Sequence, residues 1–182
     1  IPDGGEFKWG TYPEQWLGYA DINLYNDVAG AGLSDNGGNI KVANGGWYVL
    51  YFKAKIDGES INYTLNVHPA AFYIIGNATS SWTDSDPALK FTAPADDTEA
   101  WVSPEFIGGG EMRAYVKVAE FEWWRTEFTL FDGTLFWRND NIPNSWEETM
   151  GAEYSVKPAA GQKLYLNIGT PGVDAIEKGE VK

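Results

Sequence analysis

The sequence predicts an all-β protein, folded as one β-sandwich or as a pair of β-sandwiches. Short runs rich in β-branched and aromatic residues alternate with clusters of Gly, Asn, Asp and Pro. Asp57-Gly58 and Asp132-Gly133 lie between such runs and are typical of hairpin turns. No long amphipathic helical pattern interrupts the series. Because each strand has an apolar face that must be covered, stacked sheets are the expected architecture.

The strand-like runs follow one another along the whole chain. Each combines apolar residues of high β-propensity with turn residues at both ends. The predicted strands cover residues 40–42, 47–53, 63–67, 71–75, 112–118, 123–130, 134–137 and 163–168.

An internal repeat indicates two modules. The segment Gly4-Gly5-Glu6-Phe7-Lys8 recurs as Gly109-Gly110-Glu111-Met112-Arg113, and residues 40–49 share a strand, small-residue turn and aromatic strand pattern with residues 154–166. The second copy has an opening piece, 71–107, that the first lacks. We therefore predict that residues 1–68 form the C-terminal part of a first sandwich and residues 69–182 a complete second one. The alternative is a single sandwich in which the similarity between the two copies arose by chance.

Composition excludes several classes of partner. The 182 residues carry 26 acidic and 13 basic side chains, for a formal net charge of −13, so phosphate backbones and anionic membrane surfaces should repel the chain. There is no cysteine, and therefore no disulfide or thiolate metal site. No apolar run reaches the roughly 20 residues of a membrane span. The first residues, Ile1-Pro2-Asp3, show no signal peptide.

Tryptophan and arginine are concentrated where a sugar-binding surface would need them. Trp123-Trp124-Arg125 is followed by Phe136-Trp137-Arg138-Asn139. Indole faces pack against the C–H face of a sugar ring, and guanidinium and amide groups bind its hydroxyls. Strand alternation through 121–130 places Trp123, Arg125 and Glu127 on the solvent face and Trp124 towards the core.

Further candidates extend the predicted carbohydrate site. Trp137, Arg138 and Asn139 lie on the next strand and just after it, although the strand register leaves the exposed face of Trp137 open. Trp146 ends a polar loop, and Trp82 follows Thr79-Ser80-Ser81; each either caps the core or forms part of a binding rim. The predicted carbohydrate-binding residues are Trp82, Trp123, Arg125, Trp137, Arg138, Asn139 and Trp146.

The order of motifs in the second module resembles a known family. Ala71-Phe72-Tyr73-Ile74-Ile75-Gly76-Asn77-Ala78 is followed by Ser81-Trp82, by Gly109-Gly110-Glu111-Met112-Arg113 and by Lys163-Leu164-Tyr165-Leu166. This order is similar to that in the repeated modules of the SusE/SusF-type outer-membrane lipoproteins of Bacteroidetes. Gly45-Gly46-Trp47-Tyr48-Val49 resembles the closing strands of the same module.

The resemblance implies a surface-exposed, non-catalytic glycan-binding protein. It implies tandem immunoglobulin-like sandwiches, each able to carry one sugar site, and a lipid anchor upstream of Ile1. The expected partners are a starch-like or other polysaccharide or oligosaccharide and other glycan-uptake proteins of the outer membrane. No cofactor and no nucleic acid are expected.

The first module contains aromatic residues whose role the sequence leaves open. They fall in a stretch rich in Gly, Tyr and Asn and comprise Trp9, Tyr12, Trp16, Tyr19 and Tyr25. They form either a sugar-binding loop or a set of core aromatics left without the strands that cover them.

Three alternative functions remain at this point. The first is an immunoglobulin-like structural or protein-interaction module whose aromatics are core and partner contacts. The second is a glycosidase using a pair among Glu120, Glu122 and Glu127, for which no acidic signature is present. The third is calcium binding at Asp84-Ser85-Asp86 or Asn139-Asp140-Asn141, where solvated turns are the plain explanation. His68, beside Pro69, is interpreted as a linker residue.

Overall fold

A computed structural model describes residues 1–12, 15–138, 146–168 and 177–182. The chain divides into two compact units, Ile1–Ala70 (unit 1) and Ala71–Lys182 (unit 2). Strands dominate both units, and the one α-helix of the described residues, Trp146–Thr149, is a single turn. The all-β class predicted from the sequence is confirmed.

The described residues of unit 1 form eight strands in three small sheets. The sheet orders are β1-β6-β5, β2-β3 and β4-β8-β7. The strands are β1 (Glu6–Phe7), β2 (Trp9–Tyr12), β3 (Gln15–Leu17), β4 (Leu24–Asp27), β5 (Leu33–Asn36), β6 (Asn39–Val42), β7 (Tyr48–Asp57) and β8 (Ser60–Pro69).

The core of unit 1 is formed by apolar residues from several of these strands. Strand β4 runs parallel to β8, whereas β7 and β8 form an antiparallel hairpin around the predicted Asp57-Gly58 turn. The buried residues are Ile22, Ala31, Ile40, Val42, Leu65 and Val67. Because β4 pairs with β8 only from Thr64 to Val67, the distal part of the hairpin is left exposed.

Unit 2 is organised around one seven-stranded sheet with the order β10-β14-β15-β13-β12-β11-β9. The strands are β9 (Phe72–Gly76), β10 (Trp101–Val102), β11 (Met112–Val116), β12 (Glu127–Phe131), β13 (Thr134–Trp137), β14 (Leu164–Asn167) and β15 (Lys178–Val181). Strands β12 and β13 form a hairpin at Asp132-Gly133, where both residues have positive φ.

The sheet of unit 2 has two distinct faces. Phe72, Phe128 and Trp101 meet on one face, with edge-to-face ring contacts between Phe72 and each of the others. Side chains alternate along a strand, so Tyr115 and its cross-strand partner Glu127 lie on the opposite face. We call the face that carries Tyr115 and Glu127 the charged face, because it also carries Arg113.

One predicted strand is wrong over half its length. Residues 123–130 were expected to be continuous, but Trp123–Arg125 is a 3-10 turn and β12 begins at Glu127. Glu120 has a positive φ, and the Phe121 amide donates to the Val118 carbonyl, so the chain turns before β12. A 3-10 turn has three residues per turn, so the period-two assignment of Trp123 and Arg125 to one face fails.

Candidate functional site

An exposed tryptophan follows a tight loop at the end of β9. Gly76 has φ +122°, and a Cβ there would lie 2.5 Å from the Glu111 carbonyl oxygen, so the position requires glycine. The Gly76 amide donates to the Ser81 carbonyl at 2.7 Å and closes the loop. Trp82, next along the chain, is 51% exposed. Its indole Nε1–H donates to Asn77 Oδ1 at 3.1 Å, so the Gly-Asn motif fixes the ring in place.

A polar cluster lies two residues after Trp82. Asp84 Oδ1 accepts from the Tyr115 hydroxyl at 2.7 Å, and Asp84 Oδ2 accepts from Lys117 Nζ at 2.7 Å. The Tyr115 oxygen accepts from the Ser85 amide at 2.8 Å. Asp84 and Lys117 are both partly exposed, whereas Tyr115 is buried. The cluster therefore presents a fixed carboxylate and a fixed ammonium group to solvent.

Hydrogen bonding keeps Asp84 ionised. Burial raises the pKa of its carboxyl, but the hydrogen bonds from Lys117, Tyr115 and Ser85 outweigh this and hold the pKa below its usual value. Burial raises the pKa of Tyr115, so its hydroxyl stays a donor at neutral pH. The Asp84 carboxylate therefore stays ionised across the physiological range.

Trp123 contacts the Tyr115 ring of the same cluster. Its ring centroid is 6.0 Å from that of Tyr115, and it packs on the buried cluster of Ile75, Leu89 and Tyr115. The side chain is half-buried. Trp123 therefore contacts Tyr115 of the Asp84–Tyr115–Lys117 cluster, and Trp82 lies two residues before Asp84 in the chain. We call the set Trp82, Asp84, Lys117 and Trp123 the Trp82 surface.

Trp124 and Arg125 occupy the same 3-10 turn. Trp124 is half-buried rather than a core residue, which corrects the prediction from strand alternation. The guanidinium carbon of Arg125 lies 5.0 Å from the Trp124 ring centroid, and that of Arg138 lies 5.5 Å from it. Arg125 is exposed, and its role in binding hydroxyls stays a prediction.

Glu127 is the centre of a buried ion-pair cluster, contrary to its predicted place on the solvent face. It is fully buried, and its two carboxylate oxygens accept from Arg113 and Arg138, each at 2.5 Å. The Trp146 indole Nε1–H donates to Oε1 at 3.0 Å. We call Glu127 and its two arginines the Glu127 cluster.

Two predicted ligand contacts, Arg138 and Trp146, donate to Glu127 and are wrong as solvent-facing groups. The Arg138 side chain is only 4% exposed, and Trp146 is fully buried. Both side chains are oriented inwards by the carboxylate of Glu127, because an unpaired buried charge would be costly. A carboxylate inside an apolar strand, with an arginine on one neighbouring strand and another directly after the other, is the sequence signal that would have indicated the cluster.

Trp137 lies apart from the Trp82 surface. It pairs across the sheet with Phe128, with ring centroids 4.9 Å apart, and so occupies the sheet face opposite Tyr115. The ring is 36% exposed, and its Nε1–H donates to Glu177 Oε2 at 2.7 Å. Trp137 therefore does not share a face with Trp123, a question that the sequence left open because it did not fix the register. Asn139 lies outside the described residues.

Sequence reasoning missed the polar half of the Trp82 surface. Asp84 was considered only as part of a calcium loop or a solvated turn, and Lys117 was not singled out. Asp86 caps the short helical turn after it, accepting from the Ala88 amide at 2.9 Å. Within the described ranges, no group of three or more potential ligands could hold a metal ion. The spacing Tyr115-x-Lys117, which puts both side chains on one strand face, was the available signal.

Unit 1 has one strongly exposed indole. Trp16 is 64% exposed, and it pairs across the β2–β3 hairpin with Gly10, where a Cβ would lie 3.3 Å from the Trp16 ring. Trp9 stacks on Phe52 at 4.2 Å between ring centroids, and Tyr19 stacks on Tyr25 at 4.7 Å. Of the unit 1 aromatics whose role the sequence left undecided, Trp16 is thus the one that exposes a flat ring to solvent. The Tyr12 side chain lies outside the described residues.

Comparison with known proteins gives a consistent result. The sequence-family model of the SusF/SusE starch-specific carbohydrate-binding modules matches residues 71–178. The chain is 34% identical over 166 residues to outer membrane protein SusF of Bacteroides thetaiotaomicron, covering 88% of this chain and 31% of that protein. The crystal structure of SusF from Bacteroides thetaiotaomicron matches with a TM-score of 0.76 and 26% identity, over 100% of this chain and 38% of that one.

The likeness of the two structures extends over the whole chain and confirms the predicted sandwich class. The chain spans less than two fifths of each of these two relatives. Among the described residues, no helix has the length and apolar character needed to cross a membrane. The relative is an outer membrane protein, the location predicted for this chain from its sequence motifs. The chain belongs to the SusF/SusE family of starch-specific carbohydrate-binding modules.

Proposed function

We propose that unit 2 binds a starch-like polysaccharide without catalysis, through the Trp82 surface. The observation that carries this is an exposed indole, held by Asn77, that lies two residues before Asp84, whose carboxylate is paired with Lys117. A sugar ring would stack on Trp82 and Trp123, and its hydroxyls would donate to Asp84 and accept from Lys117. Family membership supports a glucan as the ligand.

The site should be weak on its own. Aromatic contacts add about 0.5–1.5 kcal/mol beyond area burial. A dissociation constant near 1 mM corresponds to only about 4 kcal/mol. Useful affinity would then come from several sites on one polymer, because linked sites raise the effective concentration.

Two carboxylates of unit 2, Asp84 and Glu127, support a non-catalytic role. A glycosidase needs an acid with a raised pKa opposite a second carboxylate. The pKa of Asp84 is lowered by its three donors, and Glu127 is fully buried between two arginines. Neither group is arranged to give a proton to a leaving oxygen.

At the level of the whole protein, we propose a surface-exposed component of a glycan-uptake system at the outer membrane. A lipid anchor upstream of Ile1 and contacts with other outer-membrane uptake proteins are part of this proposal. They rest on the family and on the location of the relative.

Calorimetry and affinity electrophoresis on a polysaccharide panel test the binding site. Amylopectin and maltoheptaose should bind to the intact chain, and xylan and dextran should bind less or not at all. Trp82→Ala and Lys117→Met should weaken binding about tenfold or more, without a large loss of stability, because both side chains are partly exposed.

Trp137→Ala is the matched control, because Trp137 is an exposed tryptophan on the opposite sheet face. If Trp137→Ala abolishes binding and Trp82→Ala does not, the site lies on that face instead. If no glycan binds, the alternative of a protein-interaction module is favoured.

Unit 1 provides a second candidate site for the same polymer. The exposed face of Trp16, lying across Gly10, is the observation that favours it. Trp16→Ala combined with Trp82→Ala should then remove residual retention on amylopectin gels that Trp82→Ala alone leaves. If the double variant and Trp82→Ala are retained equally, unit 1 contributes no site.

A further inference from the structure

The buried side chain of Arg138 contacts the 3-10 turn that carries Trp123. The Arg138 guanidinium carbon lies 5.5 Å from the Trp124 ring centroid. Arg138 Nη1 also donates to the Trp124 carbonyl oxygen at 3.4 Å. Arg138 therefore contacts both the backbone of the turn and the side chain of its central residue, Trp124.

Glu127 fixes the position of that cation. Arg138 Nη1 donates to Glu127 Oε2 at 2.5 Å, and the Arg138 amide donates to the Glu127 carbonyl at 2.9 Å. Glu127 is itself the cross-strand partner of Tyr115, whose hydroxyl binds Asp84. The turn that carries Trp123 and the hydroxyl that binds Asp84 are therefore linked through the Tyr115–Glu127 pair of β11 and β12.

Arg113 binds the same carboxylate but serves another part of unit 2. It pairs with Glu127 Oε1 at 2.5 Å and lies 3.5 Å from Glu111 Oε2. Glu111 in turn accepts from the Trp146 amide at 3.0 Å. The two arginines are thus alike in burial and in their bond to Glu127, but of the two it is Arg138 whose guanidinium lies against Trp124.

We propose that Arg138 is a positioning residue for glycan binding, which holds the Trp123–Arg125 turn so that Trp123 stays against Tyr115 at the Trp82 surface. The inference rests on the proposed function of that surface. A planar guanidinium can bind a carboxylate with one edge and cover an indole with its face, which an ammonium group cannot do. Arg138 touches the turn rather than the sugar.

The test compares Arg138→Met, Arg138→Lys and Arg113→Met by calorimetry with maltoheptaose, at a temperature where each is folded. Both Met variants remove one buried cation from Glu127 and should lower the melting temperature. Arg138→Met should weaken binding about tenfold, because Trp123 would no longer be held against Tyr115. Arg113→Met should stay within about twofold of the intact chain, and Arg138→Lys should fall between the two Met variants.

A spectroscopic readout keeps the two proposals separate. With 5-fluorotryptophan incorporated and the Trp124 resonance assigned from Trp124→Phe, Arg138→Met should shift or broaden that ¹⁹F signal, and Arg113→Met should not. Equal losses of affinity in both Met variants, or an unchanged Trp124 signal in Arg138→Met, would overturn the positioning role. If the intact chain binds no glycan but the ¹⁹F difference is present, the proposed ligand is wrong and the support of the turn by Arg138 stands.

Discussion

The repeated Gly-Gly-Glu motif has different partners in the two units. In unit 1 the exposed Glu6 carboxylate accepts from the side-chain amides of Asn36 and Asn39, and these hydrogen bonds lower its pKa. In unit 2 the largely buried Glu111 accepts from the Trp146 amide and pairs with Arg113. The same local sequence thus supports a surface turn in one unit and an internal charge cluster in the other.

The difference follows from how each unit arranges its strands. Unit 1 distributes its strands over small sheets, so Glu6 stays at the surface. There, solvent and neutral side-chain amides are enough to stabilise its carboxylate. Unit 2 has one broad sheet, and Arg113, Glu127 and Arg138 come from three adjacent strands or strand ends of its charged face. Buried charges are tolerated there because each has partners at hydrogen-bond distance. The stability of unit 2, and not of unit 1, should therefore depend on charge pairing.

The largest expected effect comes from removing the central carboxylate. Glu127→Ala should destabilise unit 2 by about 3–5 kcal/mol, because it leaves Arg113 and Arg138 buried without their counter-charge. Urea denaturation followed by tryptophan fluorescence measures this. Glu6→Ala, in the equivalent setting of unit 1, should change the midpoint little. Comparable losses in the two variants would contradict the contrast between the units.

A smaller effect is expected from the buried indole that binds the same carboxylate. Trp146→Phe should cost about 1–3 kcal/mol, since Oε1 of Glu127 loses a donor and a small cavity forms. Trp16→Ala removes a larger group from unit 1 but should cost under about 1 kcal/mol, because that ring is mostly exposed. Thermal melts of both variants give the comparison. A larger loss for Trp16→Ala would show that its ring is packed rather than shelf-like.

The Asp84 cluster should give unit 2 an acid-sensitive contribution of under about 1 kcal/mol, because the pair is partly exposed. The pKa of Asp84 is lowered in the folded state. Its stabilising contribution is therefore fully present above the ordinary value of 3.8 and is lost as the pH falls through the lowered folded pKa.

Asp84→Asn isolates this contribution. The difference in stability between the intact chain and the variant should shrink as the pH is taken from 6 to below about 3 in denaturation titrations. A difference that grows with acidity would have the wrong sign and would contradict the lowered pKa.

The smallest effect is expected at the tip of the β7–β8 hairpin in unit 1. Ile56 is 77% exposed and pairs across the hairpin with the exposed Ile61. Ile56→Thr should change stability by no more than about 0.5 kcal/mol. Ile74→Thr, in the buried strand β9 of unit 2, should cost at least about 2 kcal/mol, because the side chain is fully buried. Equal effects would show that the hairpin tip is packed.

Local patterns predicted the regular parts of the fold well. The hairpin turns at Asp57-Gly58 and Asp132-Gly133 were found from the dipeptides alone, since both need residues that tolerate positive φ. The long strands were located to within a few residues. Short strands such as Glu6–Phe7 and Gln15–Leu17 were missed, because two or three residues carry no readable period.

The candidate site was predicted only in part. Trp82 and Trp123 were selected for being aromatic beside polar residues; Trp123 contacts Tyr115 of the Asp84–Tyr115–Lys117 cluster, and Trp82 is exposed two residues before Asp84. Arg138 and Trp146 were selected for the same reason, yet both bind the buried Glu127. Composition cannot separate these cases, because an indole and a guanidinium suit a sugar ring and a buried carboxylate equally well.

The sequence by itself determined the all-β class, the hairpins and the family, since turn chemistry, alternation and short motifs act over a few residues. Tertiary structure decided which polar and aromatic groups face solvent. Tyr115 and Glu127 meet only because β11 and β12 pair in one register, and Asp84 reaches Lys117 only because a loop crosses the sheet face. Burial and charge pairing are properties of neighbours brought together from distant positions, and therefore local sequence does not fix them.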